Sequence, residues 1–382
     1  MKFLHLADLH IGKNVNGFSM IAEQQHIFRQ IIGHIKTEKP AAVVIAGDVY
    51  DRAIPSVEAV RVFDDFLTGL ADTKVAVLLI SGNHDSPERL NYASRLLLDK
   101  QIYFAGSFDG RMQKVTLADE HGDVNFWLLP FVKPVTARGF FAEQEIEGYD
   151  DLVAAALNEA KIDYAARNVL VSHQFYTRTG VTAIRSESEL NPVGGLDAVN
   201  AELLGGFDYA ALGHLHGSQG AGPGHVRYCG SPLKYSFSEC RHEKSLTLVA
   251  LHEKGNLQIS ALALHPIHDM REMKGNLKKL LSDEISGLAD PNDYLRVVLT
   301  DAEELIDPIG QLRAVYPNIM SLDFENARTG IDISDISADI EAIEKLSSYE
   351  LFKEFFLEMQ GEALSTEQSE IILGLLERLG EE

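Results

Sequence analysis

Cysteine is nearly absent from this chain of 382 residues; only Cys229 and Cys240 occur. Two thiols cannot build the disulfide framework of a small secreted domain, and they fit a reducing, cytoplasmic setting. Long apolar runs are missing as well, and none approaches the roughly 20 residues needed to cross a bilayer. The opening residues MKFLHLA enter a strand at once and lack the charged region, apolar stretch and cleavage site of a secretory leader. Basic residues are scarce: 34 Lys and Arg stand against 57 Asp and Glu, a net charge of −23. That balance argues against a protein that coats nucleic acid unaided. The deficit is uneven, because residues 331–382 hold 14 acidic and only 3 basic side chains. A local basic rim or a partner can therefore still supply phosphate contacts. Tryptophan occurs once, as Trp127, and reads as a core residue; Cys229 reads as a small packed one. No internal repeat or low-complexity tract is present.

What the chain does have, from residue 1 to about 265, is an alternation of short apolar runs with amphipathic segments. Strands are predicted at Phe3–Ala7, Ala42–Ala46, Val75–Ile80, Val124–Leu129, Val169–Ser172, Tyr209–Leu212, Val226–Cys229 and Ser245–Leu251. Helices are predicted over Ser19–Thr37, Ser56–Ala71 and Pro87–Leu98. In the second of these, Val60, Phe63, Leu67 and Leu70 recur at three- and four-residue spacing. Continuous apolar strands alternating with helices imply βαβ units around a mostly buried sheet. The pattern breaks near His265–Gly275. Beyond it a small α/β unit is predicted, with a helix near Asn276–Ile285, a strand Tyr294–Thr300, a helix Ala302–Val315 and a strand Ile319–Phe324. The remaining residues are helical in pattern. The expected division is thus 1–265, 266–330 and 331–382.

Five short motifs fall where a predicted strand runs into a turn: LADLH, IAGDVYD, ISGNHD, LVSHQ and LGHLH. They carry Asp8 and His10, Asp48, Asn83, His173, and His214 with His216. Ligands in open α/β sheets gather beyond the strand C-terminal ends, where all five motifs lie. Two-residue spacing puts Asp8 and His10 on one side of a pleat, and likewise His214 and His216. Carboxylate, amide and imidazole are hard or borderline ligands, and a carboxylate such as Asp48 can bridge two cations, one on each oxygen. Two such ions would activate a water and stabilise both the attacking and departing oxygens of a phosphate ester. Any one of these motifs alone is commonplace, and GNHD alone could be a polar turn. The ordered set points to a binuclear hydrolytic centre. The C-terminal segment Tyr349–Gln360 adds an apolar stripe of Leu351, Phe352, Phe355, Phe356 and Met359. Such a stripe serves either a partner or the chain's own body.

The motifs D-x-H, G-D-x-x-D, G-N-H-D, a later lone H and G-H-x-H resemble those of the calcineurin-like metallophosphoesterases. That resemblance implies a four-layer α/β/β/α sandwich. It gives one metal Asp8, His10, Asp48 and His216, and the other Asp48, Asn83, His173 and His214. It also makes His84 the proton donor to the leaving oxygen and Asp51 the carboxylate that orients it. The opening MKFLHLADLHIGK, the segment YCGSPLKYSFSE (Tyr228–Glu239) and the extension beyond residue 265 are further similar to the SbcD-type double-strand-break repair nucleases. This second resemblance implies two Mn²⁺ ions, although Mg²⁺, Fe²⁺ and Zn²⁺ suit the same ligands. It implies 3′→5′ exonuclease action on duplex ends, endonuclease action on single strands and hairpins, and work in DNA repair, recombination and replication. The expected site of action is the cytoplasm, at the nucleoid when DNA is engaged.

Partners follow from the same resemblance. The C-terminal stripe would grip the coiled-coil base of an SbcC-type ABC ATPase in a heterotetramer. The segments Ser56–Ala71 and Pro87–Leu98 would pair two copies of the chain. Lys13, Arg52 and Arg89 are candidate DNA contacts; the plainer alternative is that they are exposed basic residues beside a site. The rival functions are a small-molecule phosphodiesterase or phosphatase of the same superfamily and a scaffold that has lost its metals. An intact ligand set together with His84 disfavours the scaffold.

Overall fold

The fully apolar runs become the central strands of two sheets. The computed structural model describes residues 1–141, 144–178, 184–189, 198–303, 305–325, 348–360 and 363–379. They form two compact units, Met1–Met270 and Arg271–Glu382. In the first unit the strands of the main sheets are β1 (Lys2–Leu6), β2 (Ala42–Ala46), β3 (Ala76–Ile80), β4 (Ile102–Ala105), β5 (Gln113–Asp119), β6 (Gly122–Leu129), β7 (Arg167–Ser172), β8 (Tyr209–Leu212), β9 (Gln219–Gly220), β10 (Val226–Tyr228), β11 (Ser245–Leu251) and β12 (Leu257–Ala263). They lie in two six-stranded sheets, ordered β12-β11-β1-β2-β3-β4 and β9-β10-β8-β7-β6-β5. β1 to β4 are mutually parallel, as are β6, β7, β8 and β10, while β11 returns antiparallel to β1.

The sheets meet face to face through alternate residues. Phe3, Val44, Leu78 and Ile80 of one pack on Phe126, Leu128, Val169 and Ala211 of the other. Phe3 meets Phe126 edge-on at 5.4 Å, a geometry that adds roughly 0.5–1.5 kcal/mol beyond area burial. On the outer face of the second sheet, helix α3 (Tyr149–Ala160) covers Trp127, Leu170 and Leu212. Helices α1 (Ile21–Glu38) and α2 (Val57–Thr73) pack together with Phe28 stacked on Phe66 at 4.3 Å. The architecture is the four-layer α/β/β/α sandwich. Among the described residues no helix is long and apolar enough to cross a membrane.

Four edge strands escape the sequence pattern: β4, β5, β12 and the two-residue β9. The first is only four residues long, β5 buries Val115 alone, and β12 is exposed or half-exposed throughout. None reads as a buried run. The predicted helix Pro87–Leu98 is broken into single turns, Pro87–Leu90 and Ser94–Leu97. Ala93 adopts a left-handed conformation (φ 58°). The Asn91 amide anchors the break by accepting from Gly106 N and donating to Ser107 Oγ.

The second unit is built on a three-stranded sheet of Met270–Gly275, Tyr294–Leu299 and Ile319–Phe324, over a core of Leu277, Leu280, Leu295, Val297 and Leu312. The predicted helix Asn276–Ile285 is two turns split near Ser282. The predicted helix Ala302–Val315 begins only at Pro308. A residue preceding proline is driven out of the helical region, and Asp307 caps the start by accepting from Gly310 N. Further on, α4 (Ser348–Gln360) and α5 (Thr366–Leu379) form and pack together. The expected helical stretch before them, residues 326–347, lies outside the described residues.

Among the buried polar contacts that join the sheets, His5 Nδ1 lies 2.9 Å from the Tyr209 hydroxyl. Burial pushes the His5 pKa down to about 3. Between that value and about 6.5 the unfolded chain binds a proton that the folded chain refuses, so stability falls as the pH drops through this window. In urea titrations in EDTA, His5→Gln should lessen the loss of stability from pH 6 to pH 4 by about 1 kcal/mol or more relative to wild type. Equal slopes for the two proteins would refute this account.

Candidate metal centre

Because β1, β2 and β3 run parallel in one sheet, and β7 and β8 in the other, their C-terminal ends come to a common edge. The turns that follow are held by backbone bonds from Asp8 N to Gly47 O and from His10 N to Asp48 O. Asp8, His10 and Asp48 take left-handed φ values of 54°, 44° and 49°, a conformation that costs a non-glycine residue about 1–2 kcal/mol. Close approach requires glycine at Gly213, where a Cβ would fall 2.0 Å from the Ala46 carbonyl, and in two further places. A Cβ on Gly47 would come within 2.3 Å of His173 Nδ1, and one on Gly82 within 2.1 Å of Asp48 Oδ1.

The seven residues singled out by the motifs converge here. His10 Nε2 and His216 Nε2 lie 3.0 Å apart, and Asp8 joins them in one buried cluster able to hold a cation. On the other side, Asn83 Oδ1 lies 3.1 Å from both His173 Nε2 and His214 Nδ1. Asp48 stands between the two groups, its Oδ2 at 3.6 Å from His10 Nε2 and 3.3 Å from His173 Nε2. The expected division of one carboxylate oxygen per metal is not what the geometry offers. Oδ1 accepts the His84 backbone N–H at 2.9 Å, which leaves Oδ2 facing both clusters.

The donor set suits two divalent cations. His173 Nδ1 donates to the Ala46 carbonyl at 2.7 Å, which turns Nε2 toward the site. Burial would lower the pKa of this ring, but Asp48 beside it raises it to about 9, so a cation must displace the Nε2 proton to bind there. Burial lowers the His10 pKa to about 4 and that of His214 to about 3, keeping both in the neutral form that binds metal. Burial would raise the Asp48 pKa, but His173 beside it holds the carboxyl well below its usual range.

Asp51 departs from its expected role. His84 Nδ1 donates to the Asp51 backbone carbonyl at 2.9 Å, while the Asp51 carboxylate faces Lys13 Nζ at 2.8 Å and His10 Nδ1 at 3.6 Å. Its side chain therefore supports a ligand, and its main chain orients His84. Lys13, expected on DNA, is largely buried in that ion pair and lies 5.7 Å over the Tyr235 ring. Arg52 and Arg89 are exposed. Sequence reasoning missed Asp85, a buried carboxylate accepting from Val49 N, Tyr50 N and Gly82 N, which ties the second and third loops together. It also missed Arg185, whose guanidinium stacks 4.0 Å over Phe175, the ring beside His214. Asp85 closes the G-N-H-D motif but was given no role there, and Arg185 lies in no motif, so that only chain folding brings it to the site.

Comparison with known proteins gives a consistent result. The calcineurin-like phosphoesterase profile matches residues 1–218, and the type 5 capsule protein repressor C-terminal domain profile matches residues 266–360. A protein of Staphylococcus epidermidis, named as the SbcD subunit of nuclease SbcCD, is 30% identical over 98% of each chain. A protein of the same name from Staphylococcus saprophyticus is 30% identical over 100% of this chain and 99% of its own. Among solved structures, a dimetal phosphatase from Danio rerio is 12% identical, with TM-score 0.39, covering 70% of this chain and 99% of that one.

Metal loading should stabilise the fold, since ligands from both sheets meet only in the folded state. At 100 times the dissociation constant a bound ion adds about 2.7 kcal/mol. Chelated protein should therefore melt lower than protein in excess Mn²⁺. Asp48→Asn, which removes the charge between the two clusters, should lose most of that shift. A variant stabilised by Mn²⁺ as strongly as wild type would overturn the placement of Asp48.

Proposed function

The chain belongs to the calcineurin-like phosphoesterase family, among the SbcD subunits of SbcCD nucleases, and we propose that it hydrolyses DNA phosphodiesters at the centre around Asp48. The observation that carries this reading is the convergence of two groups of imidazole and amide donors on one shared carboxylate oxygen. The family supports a dimetal site, and we assign it two Mn²⁺ ions. One would be held by Asp8, His10, Asp48 and His216, the other by Asp48, Asn83, His173 and His214. Such ions, when bound, lower the pKa of water and neutralise charge on the phosphate.

The chain's own residues supply orientation and a proton. His84 is half-exposed beside buried ligands, its ring 4.8 Å from that of His10. A carbonyl can only accept, so the bond to Asp51 O keeps a proton on Nδ1 and leaves Nε2 to meet the substrate. Protonated there, His84 can hand its Nε2 proton to the departing 3′ oxygen. No nucleophilic Ser or Cys is required. Cys229 is buried, and burial raises its thiol pKa well above the usual range. Arg185, Arg52 and Arg89 are the phosphate-contacting cations of this reading. Lys13 is largely buried in its pair with Asp51, whereas Arg52 is exposed and reaches the same carboxylate only at 3.7 Å, and Arg89 is exposed. Arg185 has no carboxylate partner among the described residues.

The relatives' shared name supports a second component, which we identify as an SbcC-type ATPase gripped by the C-terminal helices. In α4, Leu351 and Phe355 are exposed and Phe352 and Phe356 half-buried; the Met359 side chain lies outside the described residues. In α5, Ile371, Leu373 and Leu375 are exposed too. For pairing of two copies, the segments expected to meet carry exposed apolar side chains, Val57 and Val60 on α2 with Tyr92 and Leu96 in the broken turns, and Ile54 lies just before α2. The helical spacing of Val60, Phe63 and Leu70 is divided between these roles, for Phe63 and Leu70 are buried.

Three outcomes check the reading. Wild-type protein with Mn²⁺ should degrade an end-labelled duplex, and His84→Ala should cut about 10²–10⁴-fold more slowly while keeping its bound metal; a near-normal rate would remove His84 from the chemistry. Deleting residues 335–382 should abolish co-purification with the ATPase yet leave hydrolysis of a simple phosphodiester, and retained binding would relocate the interface. By light scattering at micromolar concentration, wild type should be a dimer and Val57→Glu/Leu96→Glu a monomer. Wild type already monomeric would count against pairing.

A further inference from the structure

His216 is held from behind by a chain of polar groups that lies outside the metal motifs. Its Nδ1 lies 2.7 Å from Ser188 Oγ, and Ser188 Oγ lies 2.6 Å from Glu239 Oε1. Glu239 is fully buried. Its other oxygen meets Lys244 Nζ at 2.6 Å, and the same ammonium donates to the His216 carbonyl and to Ser231 Oγ, each at 2.9 Å. The His216 backbone N–H donates to Glu189 Oε1 at 2.7 Å. Three stretches of chain are thus gathered around one imidazole: 184–189, the turn after β8, and 231–244.

The direction of every proton in this chain follows from chemistry. A carboxylate paired with a buried ammonium is ionised and can only accept. Ser188 must then give its hydroxyl proton to Glu239, and its oxygen is left to accept from His216. The His216 proton therefore sits on Nδ1, and Nε2 carries the lone pair. That is the nitrogen 3.0 Å from His10 Nε2. A buried charge pair is a weak source of stability, because desolvation offsets most of its attraction. Placed here, it fixes the tautomer and ring plane of a ligand.

We infer that Ser188 and Glu239, with Lys244 holding Glu239 ionised, are positioning residues that set the affinity of the metal site containing His216. The inference rests on the two-metal reading above and is independent of the substrate.

The test is calorimetric titration of chelated full-length protein with Mn²⁺, with the melting temperature of the metal-free protein measured in parallel. Wild type should bind two ions. Ser188→Ala should weaken one binding event by about 10–100-fold, leave the other within about twofold, and melt metal-free at the wild-type temperature. Ser188→Thr, which keeps a hydroxyl, should restore affinity. Glu239→Gln, whose amide can also donate, should show the same selective loss, and cleavage by both weakened variants should recover as Mn²⁺ is raised. Wild-type affinity for both ions in Ser188→Ala would overturn the inference, as would a lowered metal-free melting temperature with affinity intact. A wild-type protein that binds no Mn²⁺ would instead overturn the metal centre itself.

Discussion

The Asp48 carboxylate is the contact on which the site depends. One oxygen is fixed by the His84 amide, and the other faces His10 and His173 at once. His10 comes from the first sheet and His173 from the second, so this single oxygen spans the sandwich at the edge where its parallel strands end. Its neighbours conform to it. Gly82 has no side chain because Asp48 occupies the space, and Asp85 anchors the backbone on both sides of the gap. Left-handed backbone at Asp8, His10 and Asp48 is the local strain that this convergence imposes.

Much of this was legible in the sequence, for a physical reason. Strands in the middle of a covered sheet are buried largely on both faces and read as apolar runs, so Ala42–Ala46, Tyr209–Leu212 and Ser245–Leu251 occur at their predicted bounds. Ligand motifs at the ends of parallel runs are brought together by the sheet itself. The illegible parts are those whose partners lie far away in the chain. Edge strands β5 and β12 carry mixed residues because much of their surface meets solvent. Ser188 looks like an ordinary loop polar residue, and Asp85 and Glu239, though they end quoted motifs, do not reveal their partners until distant segments close around them. The break at Ala93 had no proline or glycine to announce it, whereas the late helix start at Pro308 is written in Asp307-Pro308.

Charge shows a similar division. The sequence offered Lys13 as a cation beside the site, and its position in the chain was read correctly while its partner was not. Asp51 draws it into the wall, where it supports His10 indirectly through the carboxylate they share. The cation left without a carboxylate among the described residues near the second metal cluster is Arg185, which an aromatic ring holds in place. A chain with net charge −23 thus keeps at least one basic group at its catalytic edge by stacking it, since a nearby carboxylate would neutralise it.

The pairing of β1 with β11 has a consequence for how the protein comes into being. The turn after β1 carries Asp8 and His10, yet the neighbours of β1 are residues 42–46 on one side and 245–251 on the other. The last ligand, His216, is braced by residues 239 and 244. On the ribosome, where domains emerge from the N-terminus onward, no partial chain shorter than about two-thirds of the whole contains every group the centre needs. Nascent or prematurely terminated fragments would thus lack a complete centre. Contacts between remote parts of a chain slow folding; here that same remoteness acts as a safeguard on a nuclease.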